Sequence, residues 1–196
     1  VIIVFFAGAI IVIPTAYLER TLSLVMGVQS PGNAADAAKV SWIIAGLIEE
    51  GAKLAVVMLI IWKRTGFNEP MDGLVYAAAA SLGFASAENI IYIKEFGATV
   101  ILIRGPMSVL GHMLFSSIWG YTLGRAKFER SKRFSLLVRG FVLSAFFHGL
   151  YDFLIFTKII ASIALYILMG LLWNILLRMF ADAESRSPFT LEKNRD

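Results

Sequence analysis

The stretch Lys39-Val-Ser-Trp-Ile-Ile-Ala-Gly-Leu-Ile-Glu49-Glu50-Gly-Ala-Lys53-Leu-Ala-Val-Val-Met-Leu-Ile-Ile-Trp62 is apolar enough to cross a bilayer, yet carries two carboxylates and an ammonium at its middle. A charge at that depth costs about 2.5–3.5 kcal/mol on insertion scales, so three in one span point to chemistry. Three other apolar segments repeat the anomaly, with Glu88, with His112, and with His148 and Asp152. Read together, these segments describe an enzyme built inside a membrane.

The rest of the composition agrees. Hydrophobic residues make up 58% of the 196 and charged ones 16%, and a mean hydropathy of +0.75 in long apolar blocks marks a polytopic helical membrane protein. Ten-residue alternation of the outer-membrane barrel type is absent, so helices are the spanning solution. The chain has no cysteine, which excludes disulfides, thiol nucleophiles and thiolate metal sites. The net charge of +4 comes from short basic loops without interleaved aromatics, which speaks against nucleic-acid binding. Val1 opens directly in apolar sequence, and Val1 to Tyr17 reads as a span or its remnant rather than a signal peptide.

The expected fold is all-α, a transmembrane helical bundle of about six spans at 1–18, 39–62, 71–94, 99–124, 134–156 and 159–180. A single membrane-embedded domain would cover 1–180, followed by a polar cytoplasmic tail over 181–196. Pro70 and Asp72 signal the start of the third helix. Arg104, Gly105 and Pro106 are expected to break the fourth, leaving 106–124 in the membrane. Basic residues crowd alternate connections: Lys63 and Arg64; Arg125, Lys127, Arg130, Lys132 and Arg133; Arg178, Arg186, Lys193 and Arg195. Only Arg20, Lys39, Lys94, Arg104 and Lys158 fall on the other side. The positive-inside rule then makes the C-terminus cytoplasmic in a multi-pass cell-membrane protein. At roughly 1.5 Å per residue, Glu49 and Glu50 lie about 15 Å, Glu88 about 9 Å, His148 about 12 Å and His112 about 10–20 Å from the outer helix ends. The ionisable groups thus share one slab in the extracytoplasmic half.

Spacing sets what each group can do. Glu49 and Lys53 are i,i+4 partners and Glu50 and Lys53 are i,i+3, so one ammonium can neutralise either acid and leave the other to exchange protons with water. Adjacent helical residues point about 100° apart, so spacing alone does not say which glutamate is the base. Ala77 to Ala80, Gly83, Ala85 and Ala87 make the third helix thin enough for close backbone approach, and Glu88 and Asn89 follow on it. Ser108, His112 and Ser116 stack at i,i+4 on the fourth helix, as do Ser144, His148 and Asp152 on the fifth. Asp152 is positioned to fix the tautomer of His148. A zinc site could draw on His112, His148 and Glu88 or Asp152, though no His-Glu-x-x-His is present. Ser108, Ser116 or Ser144 could act as a serine nucleophile, but no Gly-x-Ser-x-Gly exists and helical hydroxyls commonly bond their own backbone. An aspartyl mechanism lacks a second deep aspartate. The bland readings are a structural ion network in helix two, a snorkelling Glu88, or a scaffold whose polar core serves only assembly. A proton-coupled transporter is a further rival, against which stands the lack of two comparable halves.

Glu49-Glu50-x-x-Lys53, Asp72-Gly73-x-x-Tyr76, Gly83-Phe84-Ala85-x-x-Glu88-Asn89, His112, Gly124-Arg-Ala-Lys-Phe128 and His148-Gly-x-Tyr151-Asp152 occur in this order. Taken together they resemble the PrsW family of membrane-embedded proteases, related to the CAAX-type (CPBP/ABI) glutamate proteases. The resemblance implies a further N-terminal helix ahead of Val1. It implies site-one cleavage of a single-pass membrane protein such as an anti-sigma factor, on its extracytoplasmic side, by glutamate-activated water with no cofactor. Lipid and that substrate are the expected partners. Glu49, Glu50, His112 and His148 are the expected catalytic residues, and Lys53, Glu88, Asn89 and Asp152 their support.

Overall fold

A computed structural model describes residues 1–28, 30–157 and 161–193. Six long helices are joined by short connections. Helix α1 is Ile2–Val25. The second unit begins with α2, Ala34–Ala38, passes through a π-helical stretch, Lys39–Gly46, and continues as α3, Leu47–Ile61. Helices α4, Pro70–Phe96, α5, Val100–Phe128, α6, Arg133–Thr157, and α7, Ala161–Ser185, complete the bundle, and a short α8, Pro188–Lys193, closes the described chain. Four of the long helices, α1, α4, α6 and α7, are long and apolar enough by themselves to cross a membrane. The other two, 34–61 and α5, pack among them and bring in most of the buried polar groups. The protein is an all-α membrane bundle.

Local chemistry explains the ends. Glu69 caps α4, Pro70 supplies its first turn, and the Asp72 carboxylate accepts from the backbone N–H groups of Asn68 and Glu69, a reciprocal cap that fixes where the helix begins. Gly97 closes α4 at φ +85°, a left-handed conformation that favours glycine. Two expectations are corrected. Arg104, Gly105 and Pro106 do not break the fourth helix, because α5 runs unbroken from Val100 to Phe128 with Pro106 inside it. The sixth span reaches past its expected end at 180: α7 continues to Ser185, the Tyr121 hydroxyl donates to Asp182, and the Ser187 hydroxyl donates to Glu69. Lys158, the start of the sixth span at 159–160, and Arg195 lie outside the described residues.

Small residues set the helix spacing. A Cβ at Gly83 would run into the Phe5 carbonyl of α1, and one at Gly8 into the Ala80 backbone. Gly73 of α4 meets Gly120 and Gly124 of α5 in the same way, and Gly46 of the π-helical stretch meets the Ala145 and Gly149 backbone of α6. Without a hydrophobic force between helices in lipid, such backbone contact is a principal source of association. The expected thinness of the third helix is realised, with Ala77, Ala80 and Ala85 fully buried. Gly83→Val is therefore expected to lower stability in detergent by about 1–3 kcal/mol, read as a fall in the thermal midpoint. Gly170→Ala, where nothing lies within 4 Å, should leave the midpoint unchanged or slightly raised.

Candidate active site

Glu50 is fully buried and saturated. Its Oε1 accepts from Lys53 Nζ at 2.7 Å and His148 Nδ1 at 3.0 Å. Its Oε2 accepts from Ser116 Oγ at 2.7 Å, Trp119 Nε1 at 2.8 Å and Ser144 Oγ at 3.1 Å. These donors come from α3, α5 and α6, so one carboxylate ties three helices together. Two of the three serines that could have been nucleophiles, Ser116 and Ser144, are thereby occupied, the single Ser144 hydroxyl proton being shared between Glu50 Oε2 and the Phe115 carbonyl.

Glu49, one residue earlier, turns a different way. Its Oε2 is buried with no hydrogen-bond partner. It lies 3.3 Å from Lys53 Nζ, 3.7 Å from His112 Nδ1 and 3.8 Å from His148 Nε2. Lys53 is itself fully buried, and its ammonium reaches Glu50, Glu49 and, at 3.0 Å, His112 Nδ1, over the face of Phe84 at 4.4 Å. Phe115 stacks on the His148 ring at 5.0 Å, and the two imidazoles meet edge to face at 5.0 Å.

Each histidine is held from behind by a carboxylate. His112 Nε2 lies 3.0 Å from Glu88 Oε2, whose Oε1 accepts from Arg104 at 2.8 Å. Arg104 also donates to Asn89 Oδ1 at 2.7 Å and covers the Tyr92 ring at 3.6 Å. With the Lys53 ammonium donating to Nδ1, His112 carries its proton on Nε2, toward Glu88. His148 donates from Nδ1 to Glu50, which leaves Nε2 facing Glu49. The tautomer-setting partner of His148 is thus Glu50 rather than Asp152, which stands 3.7 Å from Nε2, beyond hydrogen-bond reach.

Glu49, Glu88, His112, His148 and Asp152 all line one cavity of about 700 Å³. The expected site residues lie together: five on the cavity wall, with Glu50 and Lys53 hydrogen-bonded to His148 and His112 and Asn89 joined to Glu88 through Arg104. The sequence missed Glu19 of α1, which also faces the cavity, along with the pairing role of Arg104 and the contact of Trp119 with Glu50. Leu22, Leu24 and Val25, following Glu19 and Arg20, were the available signal that the first helix continues past both. Nothing local marks Arg104 or Trp119.

Fold and site together define a polytopic membrane protein with an ionisable centre sunk between its helices. A family described as PrsW family intramembrane metalloprotease matches residues 1–178, and the chain belongs to the PrsW family of membrane proteases. It is similar to the protease PrsW of Geobacillus kaustophilus, 37% identical over 79% of this chain and 66% of that protein. It is also similar to those of Bacillus subtilis, 32% identical over 77% and 67%, and Oceanobacillus iheyensis, 33% identical over 90% and 80%. The chain thus spans about two thirds of the length of the first two relatives. No solved structure matches it.

The family description raises a metal, and the donor set fits one. Glu49, His112 and His148 each offer a ligand atom within 4.8 Å of the others, which is the three-ligand pattern of a catalytic zinc site. Both histidines have the second ring nitrogen on a carboxylate, the outer-shell arrangement that orients metal-bound imidazole. Where the sequence offered Glu88 or Asp152 as the third donor, the carboxylate that comes within 4.8 Å of both imidazoles is that of Glu49, while Glu88 stands behind His112.

The two glutamates should separate in stability. Glu50→Ala strands the buried Lys53 charge and is expected to cost about 3–5 kcal/mol, read as loss of folded protein on gel filtration or a collapsed thermal midpoint. Glu49→Gln should stay folded.

Proposed function

We propose that this chain hydrolyses a peptide bond of a membrane-anchored protein, with Glu49, His112 and His148 as the reacting group. The observation that carries this reading is the unbonded Glu49 Oε2, buried beside two oriented imidazoles on the wall of a cavity. Glu49 is placed to take a proton from water, since it alone of the adjacent pair has an oxygen free of hydrogen bonds. His148 presents Nε2 to the same space, and once that nitrogen has taken over the proton that Glu49 removes from water it is placed to hold the developing oxyanion or to pass the proton to the leaving amine. His112, with its Nε2 proton toward Glu88 and its Nδ1 accepting from Lys53, holds the Lys53 ammonium beside Glu49, and Glu88 and Arg104 fix its ring. Glu50 and Lys53 hold the geometry and compensate the buried charge.

A second reading uses the same side chains. A zinc-type ion held by Glu49, His112 and His148 would supply a Lewis acid and a water acidified toward neutrality. The carboxylate behind each imidazole favours it. Residues that bind, orient and shield the reacting bond are the same in either case.

The substrate of this reading is a single-pass membrane protein of the anti-sigma-factor kind, cut on the extracytoplasmic side. Its support is the family resemblance and the charge distribution. Lys63, Arg64, Arg125, Lys127, Arg130, Lys132 and Arg133 lie at the end of the bundle away from Glu19, Arg104 and Asp152, so a cytoplasmic basic end turns the cavity outward.

Single substitutions Glu49→Gln, His112→Ala and His148→Ala are expected to lower cleavage of a single-pass substrate by about 10²–10⁴-fold with folding retained. Full turnover in either histidine variant would remove that residue from the reaction. Metal analysis of the purified protein, with cleavage assayed in chelator, separates the two readings: an ion-dependent enzyme loses activity and regains it on zinc addition, whereas a glutamate enzyme is indifferent.

A further inference from the structure

Three oxygen-bearing side chains on the cavity wall are left unengaged. Glu19 of α1 has its Oε1 buried with no hydrogen-bond partner. Ser108 of α5 is 3% exposed, and its hydroxyl also has no partner. Ser41 is the other buried hydroxyl without a partner among the described residues, whereas Ser81, Ser86, Ser117 and Thr157 all donate to the carbonyl four residues back, the ordinary fate of a helical hydroxyl. Among the described residues Asp152 of α6 reaches no hydrogen-bond partner, and its one ion-pair neighbour there is His148 Nε2 at 3.7 Å. The cations on the same wall do not answer them. Arg104 is committed to Glu88 and Asn89, and Arg20 forms no ion pair among the described residues.

We propose that Glu19, Ser108 and Asp152 form a subsite for a basic side chain, lysine or arginine, of the substrate. The proposal rests on the proteolytic reading above and adds a specificity to it. Carboxylates in a poorly solvated cavity without a counter-charge are costly, and a ligand cation that neutralises them converts that cost into selectivity. A lysine ammonium has three donors and no acceptor, which suits two carboxylates and a hydroxyl that reach no hydrogen-bond partner among the described residues. Position fits a membrane-anchored substrate as well. Glu19 lies about 9 Å from the end of α1 and Asp152 about 8 Å from the end of α6, whereas Glu49 lies about 20 Å from the start of α2. The basic residue would therefore sit nearer the membrane surface than the scissile bond, where a charged side chain costs least.

The test uses the Glu49→Gln chain, which binds without cutting, titrated with a synthetic single-span peptide carrying one lysine at the outer end of its apolar segment. The comparison peptide carries glutamine there. The lysine peptide is expected to bind about tenfold tighter, the scale of a hydrogen bond to a charged partner. That preference should vanish on adding Glu19→Gln and shrink on adding Asp152→Asn, while glutamine-peptide binding holds and reports an intact fold. Equal affinity for both peptides, binding of neither, or a lysine preference that survives Glu19→Gln and Asp152→Asn together would overturn the subsite. Cleavage by the unsubstituted chain is scored separately. Lysine preference without hydrolysis sinks the proteolytic reading alone, and hydrolysis without lysine preference sinks the subsite alone.

Discussion

The bundle is organised around one fully buried ion pair, Glu50 with Lys53. Each charge alone would be prohibitive at that depth, and together they remain tolerable only because the remaining lone pairs and protons are also satisfied. Glu50 meets that demand with donors from α5 and α6, so the requirement of charge compensation becomes a requirement on helix position. The ammonium of Lys53, shared with Glu49 and His112, carries the constraint onward to the cavity wall.

That arrangement divides labour between two chemically identical neighbours. Glu50 has no capacity left for a reaction, whereas Glu49 has an oxygen with nothing bonded to it. The difference arises from environment alone, through the turn of about 100° between successive helical positions. Around them the imidazoles are fixed by carboxylates, and Glu88 is fixed in turn by Arg104, which also ties α4 to α5 near the cavity rim. A chain of oriented groups of this kind limits how far any one ring can rotate, and precise placement is what proton transfer needs.

Much of this was legible in the sequence. Apolar blocks gave the helices, i,i+4 spacing gave the ridges Ser108–His112–Ser116 and Ser144–His148–Asp152, and the alanine run gave the thin α4. Sequence could not say which glutamate faced the cavity, because that depends on the rotation of α3 against helices far away in the chain. Trp119 and Arg104 were invisible for the same reason: their partners lie 69 and about 15 residues away and share no local pattern. Pro106 misled because its helix-breaking tendency is not realised here: α5 continues through it from Val100 to Phe128. Asp152 was assigned to His148 on spacing, and lost to Glu50 on distance.

The π-helical stretch Lys39–Gly46 leads directly into the helix that bears both glutamates, and its last residue is wedged against the α6 backbone. Advancing that helix by one residue along its screw, about 1.5 Å with a turn of about 100°, would carry Glu49 into the serine and tryptophan cage or, in the opposite sense, bring Glu50 to the cavity wall, leaving the other acid without its partners. Gly46 thus works as a detent. Axial registry, rather than side-chain identity, decides which carboxyl group is chemically idle and which is available.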